Sequence, residues 1–136
     1  MAVKILFEGA RYTVCAWLEE EQCQVEVFIL ELHSNNDPDS AAMVDLLERT
    51  ATNGPPTNIQ KFRHLKGSGK GLVEFKARGG ARILGFIDID RRRIVCTHGI
   101  SKLKKIRFER EMEKAQGIKE SYMTEINILD GGDYVH

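Results

Sequence analysis

Between residues 72 and 100, three β-rich runs are separated by two short turn signals, and this pattern restricts the fold more than any other feature of the chain. The runs cover 72–78, 82–88 and 93–100, with Gly79-Gly80 and Asp90-Arg91-Arg92 between them. Runs of that length joined by tight turns read as an antiparallel meander. In the first run Val73, Phe75 and Ala77 alternate with Glu74, Lys76 and Arg78. Side chains on a strand point alternately to opposite faces, so one face of the sheet is apolar and the other carries charge.

The remaining elements follow from the same kind of pattern. Residues 3–7 and 12–18 are β-rich runs separated by Glu8-Gly9-Ala10-Arg11, which predicts two strands and a turn. Val25, Phe28, Ile29 and Leu32 recur at the spacing of one buried helical face, predicting a helix from about Gln22 to His33. Asp37 is then an N-cap with Pro38 at the first helical position. Met43, Leu46, Leu47 and Thr50 form the inward face of that second helix, which ends at Asn53-Gly54-Pro55-Pro56. Phe108, Met112, Ala115 and Tyr122 mark a C-terminal helix. Two strands, two helices, a three-stranded antiparallel meander and a closing helix make an α+β domain, with helices set against an antiparallel sheet.

A chain of 136 residues suits one core better than two. Residues 1–129 are expected to form a single domain, and 130–136 a flexible tail. No continuous apolar stretch marks a signal peptide or a spanning helix, so a cytoplasmic protein without membrane contact is expected. Cys15, Cys23 and Cys96 are odd in number and widely spaced, a poor disulfide framework that suits packed, reduced thiols.

The formal charge of zero conceals a strong asymmetry. Residues 61–107 hold fourteen Lys and Arg against three acids, a net +11, while the segments before and after carry −7 and −4. Such a block attracts polyanions, and nucleic acid is the first partner to consider. The charged face of the meander is therefore the candidate site, although a half-solvated antiparallel sheet commonly has such a face. The placement of Arg82 depends on register. A two-residue Gly79-Gly80 loop sets Arg82 opposite Ala77 on the apolar face. A three-residue loop or bulge sets it opposite Arg78, on the same face as Lys76. The second is expected, because an arginine on the apolar face needs a buried partner.

His98 titrates near neutrality and is a candidate for proton transfer, weighed against the commoner structural role of a strand histidine. Cys96-Thr97-His98 would set a thiol and an imidazole on one face, but no further ligand pair accompanies them and a metal site is not expected. Gly67-Ser68-Gly69-Lys70-Gly71 lacks the spacing and the hydroxyl of a phosphate loop, and reads as a turn whose Lys70 touches a phosphate. Arg91, Arg92 and Arg93 read as a solvated turn.

In their order, several segments of residues 24–115 resemble the RelE/HigB-type toxins of type II toxin-antitoxin systems, in the phage-derived branch of the RelE/ParE superfamily. The first helix, from Gln24 through Val25, Phe28, Ile29 and Leu32, is similar to that branch's first-helix motif. Met43 to Gly54, with paired leucines and a closing glycine, resembles the second. Lys66-Gly67 through Gly71-Leu72-Val73-Glu74-Phe75-Lys76 is similar to the lysine-glycine strand motif, and Arg82-Ile83-Leu84-Gly85-Phe86 to the arginine-led second strand. His98-Gly99-Ile100-Ser101-Lys102 resembles the third strand and its basic cluster, and Glu111-Met112 with Ala115 the closing helix. The chain departs from the motif at Val73, Leu103 and Phe108.

The resemblance implies a RelE/ParE-like fold and a cofactor-free, metal-independent endoribonuclease that cleaves messenger RNA on the ribosome. A helix-turn-helix antitoxin would restrain it, in an assembly left open between a homodimer and a toxin-antitoxin heterotetramer. Carried over by position, Arg82 stabilises the phosphate, and Lys76 and Lys102 bind or polarise it. Arg63, Lys66, Lys70, Lys104, Lys105 and Arg107 hold the flanking backbone, and the general base lies among His98, Tyr122 and Tyr134. The alternative is a non-catalytic member of the superfamily that binds gyrase, nucleic acid or an antitoxin.

Overall fold

The structure is a computed structural model that describes residues 3–66, 71–101 and 105–132, the last segment with side chains from 107 to 126. Among the described residues, seven strands and three helices follow one another as β1 (Val3–Glu8), β2 (Thr13–Glu19), β3 (Gln22–Cys23), α1 (Gln24–Ser34), α2 (Asp39–Asn53), β4 (Phe62–His64), β5 (Leu72–Lys76), β6 (Arg82–Asp88), β7 (Arg93–Ile100) and α3 (Lys105–Gly132). The sheet runs β1-β2-β7-β6-β5-β4, and β3 pairs with β2.

The domain is α+β as expected, but the sheet is mixed instead of antiparallel. Strand β2 lies parallel to β7, from Thr13 opposite Arg93 to Ala16 opposite Cys96. This long-range pairing joins the N-terminal hairpin to the meander. Two further strands were not expected. Glu20 and Glu21 both take positive φ and turn β2 sharply into β3, so the first helix begins at Gln24 rather than Gln22. Strand β4 extends the meander to a fourth strand and forms its outer edge.

Helices cover both faces. Val25, Phe28 and Leu32 of α1, with Met43, Leu47 and Ala51 of α2, bury themselves against Val14, Val73, Phe75, Ile83 and Ile94 of the sheet. On the other face Met112, Ala115, Ile118, Tyr122 and Ile126 of α3 cover Leu72, Leu84, Phe86 and Val95. Burying a Leu- or Phe-sized side chain contributes about 1.5–3 kcal/mol, so each layer is held by several such contributions. The cap position of α2 falls at Pro38, one residue later than expected, and Asp37 supports the first turn from outside, its Oδ1 accepting from the Asp39 N–H at 2.9 Å. Gly54 closes the helix with φ of 86°, a left-handed conformation that glycine adopts without a Cβ penalty.

Helix α3 continues to Gly132, three residues into the segment expected to be a tail, and 133–136 lie outside the described residues. Among the described residues, no helix is long and apolar enough to cross a membrane. All three cysteines are unpaired and buried. Burial pushes the Cys15 thiol up to about 11 and raises Cys23 and Cys96 as well, which makes each a poor nucleophile at neutral pH.

Candidate nucleic-acid interface

The loop between β5 and β6 sets the site. Ala77 N–H donates to the Ala81 carbonyl at 2.8 Å, so the loop is the three residues Arg78-Gly79-Gly80. Lys76 stands opposite Arg82, and the two side chains share a face. The expected parity is correct, but the cross-strand partner is Lys76 instead of Arg78, because Arg78 belongs to the loop. Asp39, the first residue of α2, holds this loop from below. Its two carboxylate oxygens accept from the N–H groups of Gly79 at 2.9 Å and Ala81 at 3.0 Å. A Cβ on Gly79 would stand 2.6 Å from that carboxylate, so a larger residue would have to push Asp39 aside.

Rows of residues cross the sheet on the α3 side. Lys61, Lys76, Arg82 and Ile100 form one row; Arg63, Glu74, Leu84 and His98 form the next. Glu74 differs most from its sequence reading. Instead of standing on a solvated face, it is fully buried under α3 and joins two arginines. Arg63 Nε donates to Oε1 at 2.8 Å and Arg82 Nη1 to Oε2 at 3.1 Å. Both guanidiniums lie near the face of Phe108, at 6.0 Å and 5.6 Å from its centroid, within cation–π range. A buried carboxylate needs such partners, and each guanidinium keeps further N–H donors for an external anion. The side chain of Arg63 is 47% exposed and that of Arg82 is 24% exposed. Among the described residues, Lys61, Lys66 and Lys76 enter no ion pair.

His98 reaches the same face through a bulge. The register steps from Leu84 opposite His98 to Gly85 opposite Cys96, and Thr97 is the extra residue. Cys96 therefore joins the core beneath α1 and α2, while His98 turns toward α3. The expectation that the thiol and imidazole share a face fails for this reason. His98 Nε2 lies 2.6 Å from Glu111 Oε2, and Nδ1 lies 3.0 Å from the Thr97 hydroxyl, which also donates to the Leu84 carbonyl. With the proton on Nε2 donated to the Glu111 carboxylate, Nδ1 and the Leu84 carbonyl compete for the single proton of the Thr97 hydroxyl. Burial lowers the His98 pKa, opposed by the Glu111 carboxylate.

The clefts on either side of α3 separate these groups. One, of about 1090 Å³, is lined by Arg63, His64, Lys66 and Phe108. Across the helix, two adjoining recesses of about 370 and 380 Å³ share Phe28, Glu31, Gly99 and Glu111. Arg107 lines the first of these recesses and His98 the second. The sequence set is thus brought together in part. Arg63, Lys76 and Arg82 form one cluster with Lys66 beside it, while His98 and Arg107 open on the far side of α3.

Lys70, Lys102, Lys104 and Tyr134 lie outside the described residues, as does the side chain of Lys105. Tyr122 does not serve as a base. Its hydroxyl is buried, donates to Asp88 Oδ2 at 2.6 Å and accepts from Arg93 at 3.3 Å. Burial, reinforced by Asp88, pushes its pKa up to about 12. It also sits at the Asp88 end of β6, about 20 Å along the strand from Arg82 at ~3.3 Å per residue. The arginine turn is not simply solvated: Arg91 pairs with Asp88 at 3.2 Å, and Arg92 donates to the Ala10 carbonyl at 3.3 Å.

Sequence reasoning missed Glu74 as the hub, Phe108 as its cover and Asp39 as the loop anchor. A carboxylate alone among bases in a strand was the available signal for the first. No protein-family model, curated protein or solved structure matches the chain.

Proposed function

We propose that this chain is a metal-independent endoribonuclease of the RelE/HigB toxin kind, directed at messenger RNA on the ribosome. The observation that carries the reading is the cross-strand pair Lys76 and Arg82, extended by Arg63 through the buried Glu74. Their cationic groups converge on one sheet face, where an anion of the size of a phosphate meets several donors at once. RNA supplies its own nucleophile. The 2′-oxygen bonds to the adjacent phosphorus, the bond to the 5′-oxygen breaks, and the proton lost by the 2′-hydroxyl is balanced by one taken up by the leaving oxygen. Positioned cations lower the barrier by stabilising charge on the phosphorane and by aligning the attack. Among the described residues neither His98 nor Tyr122 offers a free basic atom at this cluster, so charge and alignment carry the catalysis.

A second reading, binding of nucleic acid, gyrase or an antitoxin without cleavage, is favoured by one observation. Arg82 is already partly neutralised by Glu74 and partly covered by Phe108. Expression of the chain alone separates the two. The nuclease reading expects growth arrest with cleaved transcripts and relief of both by Arg82→Ala; arrest with intact transcripts favours binding.

A further inference from the structure

We propose that the cleft wrapped around β4 is a base-binding subsite for single-stranded nucleic acid. The subsite rests on the reading that the adjoining cluster binds RNA. At about 1090 Å³ the cleft is larger than the roughly 300–1,000 Å³ of a typical small-molecule site, and it suits a short run of linked units. Its lining combines two chemistries. Pro55, Pro56, Ile59, Phe62, His64 and Phe108 present apolar and ring surface; Arg63 and Lys66 present positive groups, against the single acid Glu109. A cationic track beside ring faces is the composition that holds single strands, with phosphates on the bases Lys and Arg, and nucleobases stacked on rings.

Three further observations support this occupant. The cleft belongs to an edge strand, so side chains from both sheet faces reach it around β4. Paired bases inside a duplex cannot reach such a surface, whereas unstacked ones can. Ile59, 76% exposed, stands on a turn built by Asn58, whose carbonyl accepts from Lys61 and Phe62 and whose Oδ1 accepts from Gln60 N–H at 2.9 Å. That turn holds an apolar side chain at the rim before any ligand arrives. Arg63 belongs to both places, since it pairs with Glu74 beside Arg82 and lines the cleft. A strand with one phosphate at Arg82 and the next at Arg63 brings one base to Phe108 on the α3 side of β4 and the following base around the edge to His64 and Ile59.

The test is equilibrium binding of a fluorescent single-stranded RNA oligonucleotide, its abasic counterpart and its duplex. The protein is compared with Ile59→Ser and His64→Ala, both at exposed positions, after thermal melts establish that each variant folds. The wild type should bind the single strand at least about fivefold more tightly than the abasic strand, the lower end of one stacked base. The variants should lose that preference while their salt dependence stays unchanged, because the phosphate contacts remain. Salt-dependent binding that ignores bases, or a duplex bound as tightly as the single strand, overturns the subsite and leaves the cationic cluster standing. Amide signals of residues 57–64 that do not move while those of β6 do also overturn the subsite. No binding of any RNA removes the underlying reading, and the subsite with it.

Discussion

Replacing Glu74 with glutamine should weaken the fold and strengthen the hold on RNA, two effects of opposite sign from one substitution. The carboxylate has no solvent exposure, while its partners are 47% and 24% exposed. Removing one partner of a buried ion pair costs about 3–5 kcal/mol. Here both stranded guanidiniums can turn to water, so the cost should be nearer ~2–3 kcal/mol. A 136-residue domain unfolds with an entropy that makes 1 kcal/mol worth about 3.5 °C, so the Tm should fall by roughly 7–10 °C. The same change removes a negative charge beside the phosphate path. One unit charge at ~6 Å contributes about 0.7 kcal/mol even in a water-like dielectric, a lower bound for a buried carboxylate, so binding at low salt should tighten at least about threefold. Calorimetric or fluorescence melts read the first effect and fluorescence anisotropy with single-stranded RNA reads the second. A Tm shift under about 2 °C would refute the burial argument, being well below the entropy-based expectation. Weaker RNA binding by a folded variant would show that Glu74 does something other than hold the two arginines.

Further outcomes follow from three buried polar residues. Tyr122→Phe removes the donor to Asp88 and should cost about 1.5–3 kcal/mol in urea unfolding, yet leave RNA binding unchanged, since the pair lies at the other end of β6. For the intact protein, the Tyr122 pKa is raised when folded. Its contribution is therefore complete below about pH 10 and should be lost as pH climbs toward 12, a loss that Tyr122→Phe abolishes in pH-dependent melts. The His98 pKa is lowered when folded, so its contribution is present above about pH 6.5, the unfolded value, and should decline as pH falls through the folded one; His98→Gln should flatten the acid limb. Asp39→Ala leaves the Gly79 and Ala81 N–H groups without their acceptor, and should cost about 2–4 kcal/mol and speed amide exchange in that loop first.

The meander and the first two helices were legible because each rests on short-range pattern. Val73, Phe75 and Ala77 announce a face, and Asp37-Pro38 and Gly54-Pro55 announce helix ends. The parity of Arg82 was legible too, from the cost of burying an unpaired charge. The fate of Glu74 was not, because the inward stripe of α3, Met112, Ala115 and Tyr122, says that the helix buries something without saying what. Only tertiary docking sets that stripe over Leu72, Leu84, Phe86 and Val95 and brings Phe108 over the two arginines that hold Glu74. The bulge at Thr97 left no pattern in the sequence, and it alone decides whether His98 meets Cys96 or Glu111. Strand β4 is three residues long and exposes two of them, too short for alternation to register, yet it supplies Arg63. The parallel pairing of β2 with β7 joins Thr13 to Arg93, segments too far apart in the chain for local pattern to reach.

The most direct test of the central claim uses purified protein, programmed ribosomes and end-labelled messenger RNA in EDTA. Wild type should cleave and leave a 2′,3′-cyclic phosphate, and Arg82→Ala, with its fold verified by melting, should be about 10²–10³-fold slower, as expected when one charge-stabilising donor is removed. Intact messenger RNA with the wild-type protein, or cleavage by Arg82→Ala at the wild-type rate, would contradict the account.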